Sequence, residues 1–188
     1  DLAQVSALPD VLSRLAKTHT EITGLVCCAG RGRFGSLEEF AYKDIRELVD
    51  LNLTSQMYVV RAFMPIIKTN GGGDVVLMGS EAALSGGRYG AVYSATKFAV
   101  RGFAQALRHE CAAANVRITI VNPGMVRTKF FDSLKFEPGT DPDNYIEPED
   151  VASAVCGALS ARRGTVVDEI NLSPLKRVVR SKTDDADN

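Results

Sequence analysis

The sequence predicts an α/β protein, a parallel sheet with helices on both faces, on two observations. Short apolar runs alternate along the chain with longer stretches of helical period, which is the order that repeated strand and helix units produce. The runs are apolar at nearly every position, as strands covered on both faces are; a sheet wetted on one face would alternate apolar with polar.

The elements follow in order. Leu8 to Thr18 reads as an amphipathic helix, and Ile22 to Cys28 as a continuous apolar strand buried on both faces. Ala41 to Lys68 is one long helical pattern with Pro65 near its end, stopped by Asn70-Gly71-Gly72-Gly73. Asp74 to Gly79 is a strand, Val92 to Ala114 a helix and Val116 to Val121 another strand. From Met125 to Tyr145 the pattern breaks into Phe130, Phe131, Leu134 and Phe136 among polar residues. Glu147-Pro148-Glu149-Asp150 then starts a helix with acidic residues suited to its positive end. Val166 to Leu172 is a final strand, and Ser181 to Asn188 is polar and expected to fray.

At 188 residues with 45% apolar content, one domain with a sizeable core is expected. The net charge of −1, with no basic or acidic block, implies neither nucleic acid nor an anionic membrane as partner. The longest apolar runs are strand-sized, short of the roughly 20 residues a membrane span needs. Cys27, Cys28, Cys111 and Cys156 form no disulfide framework, and with only His19 and His109 beside them no metal spacing exists. They read as buried, reduced thiols, which points to the cytoplasm.

Chemistry enters with Tyr93 and Lys97. Y-S-A-T-K opens a helical segment, and residues four apart share a helix face, so phenol and ammonium are neighbours. A fixed cation favours the phenolate and is expected to lower the tyrosine pKa from about 10. Tyr93 then becomes able to exchange a proton with an alcohol or carbonyl near neutral pH. Ser80 ends an apolar strand, so its hydroxyl emerges at the strand's carboxyl end, the edge where open α/β sheets bind ligands. There it can donate to an oxygen on which negative charge develops. Taken singly, Ser80 is equally a turn serine and Asn52 a polar residue at a helix bend.

The order of L-N-L-T, M-G-S, Y-S-A-T-K and V-N-P-G-M-V-R-T resembles the short-chain dehydrogenase/reductase family, over Asp1 to about Pro174. The resemblance implies a Rossmann-like doubly wound parallel sheet and a catalytic tetrad of Asn52, Ser80, Tyr93 and Lys97. In it Tyr93 is the acid/base and Ser80 holds the substrate oxygen. Lys97 lowers the tyrosine pKa and binds the nicotinamide ribose, and Asn52 helps hold a water of a proton relay. Pro123, Gly124, Val126 and Thr128 match the segment that contacts the nicotinamide, while Ala29 and Gly30 approach the adenosine ribose and Asp1-Leu2 take the place of a pair that contacts adenine.

Two departures stand out. Cys27-Cys28-Ala29-Gly30 replaces the family's Asn-Asn-Ala-Gly, so amide contacts that brace this loop are expected to be lost, thiols being weak hydrogen-bonding groups. The glycine-rich turn that holds the cofactor pyrophosphate has no counterpart, and strands 1 to 3 of the family are expected to be missing, roughly 55 residues or about two strand-helix-strand units. The strand Ile22 to Cys28 would then be a sheet edge.

The implied domain runs over 1–174, with a substrate lid at about 125–147 and a polar tail at 175–188. The implied activity is NAD(P)-dependent interconversion of a small-molecule alcohol and a ketone or aldehyde. V-D-E-I-N-L-S-P-L is similar to a subgroup that oxidises serine and other small 3-hydroxy acids, which favours NADP over NAD. A homodimer or homotetramer through the helices from Ala41 and Val92 is expected. The alternative is a catalytically inactive remnant that acts as a binding or regulatory partner.

Overall fold

A computed structural model describes residues 1–182 of the chain. In chain order its main elements are α1 (Leu8–Thr18), β1 (Gly24–Cys27), α2 (Tyr42–Val49), α3 (Ser55–Thr69), β2 (Gly73–Met78), α4 (Ala91–Cys111), β3 (Val116–Pro123), β4 (Phe136–Pro138), α5 (Pro148–Leu159), β5 (Glu169–Leu172) and β6 (Val179–Ser181). Strands β1, β2, β3 and β5 lie side by side in that order, all parallel. The fold is Rossmann-like, with the helices on both faces of the sheet that the sequence predicts. No helix among the described residues is long and apolar enough to cross a membrane.

Side chains alternate across a strand, so the apolar runs supply two cores. On one face Val75, Leu77, Ile118 and Ile120 pack against Val60 and Ile67 of α3 and Val100 of α4. On the other, Val76 and Val121 meet Val151 and Val155 of α5. Each such aliphatic side chain contributes about 1.5–3 kcal/mol on full burial. Helix α1 closes the first layer by setting Leu8 and Leu12 on Phe63 of α3.

Burial tracks position in the sheet. All eight residues of β3 are buried. Strand β1 is the edge, as expected, but it is shorter than Ile22 to Cys28 and is not covered on both faces: Val26 is 47% exposed. The reason is that α1 and α3 cover only the side on which Cys27 points.

The helical pattern from Ala41 is interrupted. Between α2 and α3 the backbone widens into a π turn over Asp50–Thr54. Helix α2 begins where Asp44 Oδ2 accepts the Ala41 N–H at 3.2 Å. Beyond α3, Gly71 and Gly72 adopt φ of 86° and 107°, which a side chain would oppose. At Gly72 a Cβ would also lie 2.4 Å from the Asn115 carbonyl oxygen, so the turn needs glycine on both counts.

At the amino ends of β2 and β3, Arg117 gives two hydrogen bonds to Asp74, at 2.6 and 3.0 Å, and one each to the carbonyls of Leu159 and Ala161. This ties the end of α5 to the sheet. The segment 125–147 is closed at its base, where the Ile146 N–H donates to the Met125 carbonyl at 2.8 Å and the Arg127 N–H to the Ile146 carbonyl at 2.9 Å. Residues from 175 onward were expected as a separate polar tail. Instead β6 pairs antiparallel with β4, Lys176 bridges Asp143 at 2.8 Å, and Lys182 Nζ donates to the Phe131 carbonyl. Residues 183–188, expected to fray, lie outside the described residues.

All four thiols are free, but only Cys27 and Cys111 are buried. Cys28 and Cys156 are exposed, because Cys28 follows the last residue of an edge strand and Cys156 sits on the outer side of α5. Burial pushes the Cys27 thiol up to about 12.

Candidate active site

The polar residues singled out in the sequence converge at the carboxyl ends of β1, β2 and β3. Gly79 and Ser80 follow β2, and Ser80 is buried, its hydroxyl oxygen accepting the Ala82 N–H at 3.1 Å at the start of a short turn. Gly79 lies close against β3: a Cβ there would fall 2.0 Å from Asn122 Oδ1 and force that side chain to move. Tyr93 stands in the first turn of α4 and Lys97 one turn later, both buried, with the ammonium 5.8 Å from the centre of the phenol ring. Lys97 Nζ donates to the Met78 carbonyl at 3.0 Å, so the lysine reaches across to the end of β2.

The protonation states differ from the expected ones. Tyr93 is shifted up rather than down, chiefly because burial penalises the phenolate; the facing Ser80 hydroxyl opposes the shift and the Glu81 carboxylate adds to it. Lys97 is itself desolvated. Burial lowers its pKa from 10.5 to about 8, against the opposing influence of Cys28.

Asn52 lies in the π turn, 1% exposed, with its carboxamide fully engaged. Its oxygen accepts the Arg31 N–H at 2.9 Å, and its nitrogen donates to the Arg31 carbonyl at 2.9 Å and to Thr96 Oγ1 at 3.2 Å. Thr96 in turn donates to the Tyr93 carbonyl at 2.7 Å. Gln56, one turn after Asn52, donates to the Ala29 carbonyl at 2.9 Å. The loop that loses amide braces at Cys27-Cys28 is therefore braced from the opposite wall, by Asn52 and Gln56. Sequence reasoning missed Gln56 and Thr96. Their signal was present: polar residues at i+4 from Asn52 and i+3 from Tyr93, on helix faces otherwise apolar.

The residues expected around a nicotinamide dinucleotide divide into two sets. Those for its nicotinamide half follow the carboxyl end of β3. Gly30, expected at the adenosine ribose, borders Lys97 instead: a Cβ there would lie 3.3 Å from Asn52 Oδ1 and 3.6 Å from Lys97 Nζ, and the lysine has donors to spare. Pro123 ends β3, the Gly124 N–H donates to the Leu172 carbonyl at 2.8 Å, and a Cβ on Gly124 would meet Glu81 Oε2 at 3.2 Å. Val126 forms a parallel bridge with Ile146, and the exposed Thr128 accepts the Phe130 N–H at 3.2 Å while its own proton stays available. For the adenine half, Asp1 Oδ1 accepts the Ala3 N–H at 2.9 Å and Leu2 packs in the α1 cluster. Neither is drawn toward the tetrad.

The phenol is roofed by rings. Phe34, from the loop after β1, stands 5.1 Å from Tyr93 between centroids, and Phe130 stands 6.0 Å away. A cleft of about 250 Å³ lies to one side, lined by Arg127, Thr128, Phe131, Glu137, Tyr145 and Lys182 among others, and it reaches none of the tetrad.

The family model for short chain dehydrogenases matches residues 1–138. The chain is 29% identical over 174 residues to a sepiapterin reductase of Chlorobaculum tepidum, a match covering 93% of this chain and 70% of that protein. It is 28% identical over 181 residues to an NADP-dependent 3-hydroxy acid dehydrogenase of Schizosaccharomyces pombe, with the same coverage. Among solved structures it superposes on an alcohol dehydrogenase from the archaeon Thermococcus sibiricus, complexed with 5-hydroxy-NADP, with a TM-score of 0.82 and 26% identity, covering 95% of this chain and 74% of that one.

Proposed function

The chain belongs to the short-chain dehydrogenase family and is an NAD(P)-dependent oxidoreductase; from that premise we propose that it interconverts an alcohol and a ketone or aldehyde, with Tyr93 as proton donor and acceptor. The observation that carries this reading is the burial of Ser80, Tyr93 and Lys97 together at the carboxyl end of β2. NADP is favoured over NAD, supported by the cofactor named for the yeast relative and for the archaeal structure. When bound, the dinucleotide gives hydride to the carbonyl carbon or takes it from the alcohol.

The chain's own residues do the rest. Ser80 donates to the substrate oxygen and holds it beside the phenol. Tyr93, a phenol protonated at neutral pH and made a weaker acid still by burial, supplies the proton in reduction. The phenolate left behind is stabilised by the Lys97 ammonium, already held 5.8 Å from the ring centre, so little reorganisation is needed. Asn52 and Thr96 fix the backbone on either side, positioning Tyr93 relative to the loop that ends in Arg31.

A small 3-hydroxy acid is one substrate class within this reading, supported by the yeast relative's name. A homodimer or homotetramer through α3 and α4 is supported by Tyr58 and Phe98, which stand 37% and 44% exposed on those helices. The test is Tyr93→Phe in the intact protein with NADPH and a ketone. Turnover should fall roughly 10²- to 10⁴-fold with nucleotide affinity unchanged. Turnover within a few-fold of the parent would remove Tyr93 from the proposed role.

A further inference from the structure

The roof over Tyr93 is a closed circuit. Tyr93, Phe34, Phe136, Phe131 and Phe130 each touch the next, with centroid separations of 5.1, 5.0, 5.9, 5.2 and, back to Tyr93, 6.0 Å. These rings come from three separate parts of the chain: the loop after β1, the start of α4 and the segment 125–147. Gly32 makes room for one of them: a Cβ there would fall 2.5 Å from the Phe130 ring. Phe34, Phe130 and Phe136 are only half-buried, so this is a wall with an outer side rather than a sealed core.

Several charges around the circuit are already paired. Glu81 acts on the phenol, and its carboxylate is paired with Arg177 at 3.0 Å. The guanidinium groups nearest in sequence to the rings are also paired, Arg33 with Asp44 at 2.6 Å and Arg127 with Glu147 at 2.6 Å. Lys97 is held by the Met78 carbonyl on the inner side of the phenol. A carboxylate brought among the rings themselves would lose its water against apolar faces, a costly transfer. A flat apolar molecule would exchange ring-to-ring contacts for equivalent ones.

We infer that Phe34, Phe130 and Phe136 select the substrate, and that its carbonyl or alcohol carbon is carried on an apolar, ring-bearing frame rather than on a small hydroxy acid. This rests on the oxidoreductase reading above. Tyr93 and Ser80 take the oxygen at one edge of the frame, and the phenylalanines cover its faces.

The intact protein with NADPH or NADP⁺ is offered two probes, the bicyclic aromatic ketone 1-tetralone and the small acid 3-hydroxybutyrate. Turnover is followed at the nicotinamide, and binding is followed separately by calorimetry. Tetralone should bind and be reduced with kcat/KM at least tenfold above that for oxidation of the acid. Phe34→Ala and Phe130→Ala should each raise KM for tetralone about tenfold, with kcat within threefold. Phe34→Leu and Phe130→Leu, which keep apolar volume, should show the same split to a smaller degree and serve if the alanine variants unfold. Preference for 3-hydroxybutyrate, or ring variants that leave KM for tetralone unmoved, would overturn the inference while leaving the oxidoreductase reading intact. Tetralone binding without turnover of either probe would uphold the aromatic wall and overturn the redox reading, and absence of both binding and turnover would overturn both.

Discussion

Two cations are buried to nearly the same depth at opposite ends of one sheet, and they are treated differently. Arg117, at the amino end of β3, is 7% exposed and has donors placed on both oxygens of Asp74 and on the carbonyls of Leu159 and Ala161. Lys97, whose ammonium lies at the carboxyl end of β2, is 5% exposed and makes one hydrogen bond, to Met78. Burial costs a charged group several kcal/mol unless partners offset it. The arginine is offset almost completely, which is the mark of a structural clamp. The lysine is left with spare donors and a pKa lowered to about 8, as its proposed role beside a bound dinucleotide requires.

Replacing each cation by an apolar residue of similar length separates the two roles. Lys97→Met should cost the largest effect in turnover, roughly 10²-fold or more, with a melting temperature at or above that of the parent; thermal melts and steady-state assays on one sample check it. Arg117→Met should do the reverse. It leaves the Asp74 carboxylate unpaired and two carbonyls without donors, so unfolding in urea should show a loss of about 3 kcal/mol while turnover per folded molecule is kept. Equal stability losses at the two sites would break the contrast.

A pH series sharpens it. The folded chain holds the Lys97 proton less tightly than the unfolded chain, where the lysine titrates near 10.5. The parent should therefore gain stability, by a few kcal/mol, as pH rises from about 8 to about 10.5, relative to Lys97→Met, in which that gain is absent. The smallest effect is expected at Arg108. It pairs with Asp168 at 2.7 Å near the Arg117 end, but in a setting where the carboxylate is 66% exposed. Arg108→Ala should cost under about 1 kcal/mol and lose most of that in high salt, which isolates burial as the variable.

The strands and helices were legible because their apolar spacing is strong, as at Leu8–Thr18, where the helix has the predicted bounds. The placement of Ser80 was legible for the same reason: it follows a run too short and too apolar to be anything but a strand. The tyrosine pKa was not. The i+4 spacing put Lys97 near Tyr93, but whether a cation lowers a phenol depends on how far each is desolvated, and burial is a property of the assembled fold. Pairing of β6 with β4 was hidden because Val179-Arg180-Ser181 is polar and short, and its partner lies some forty residues earlier in an irregular segment. The exposure of Val26 and Cys28 was missed because the apolar run reads alike whether one face is covered or two.

The π turn at Asp50–Thr54 can be viewed as a count rather than a shape. It holds one residue more than an α-helix would need to cover the same path. Deleting a single residue there would let α2 and α3 fuse into one regular helix, at no loss of helical hydrogen bonding. Each residue of an α-helix turns it by about 100°, so the surplus sets the phase between the two halves. In that phase the carboxamide of Asn52 faces Arg31 and Thr96. In that sense the site is written partly in an arithmetic irregularity, and a one-residue deletion that improves the helix would dismantle the wall it belongs to.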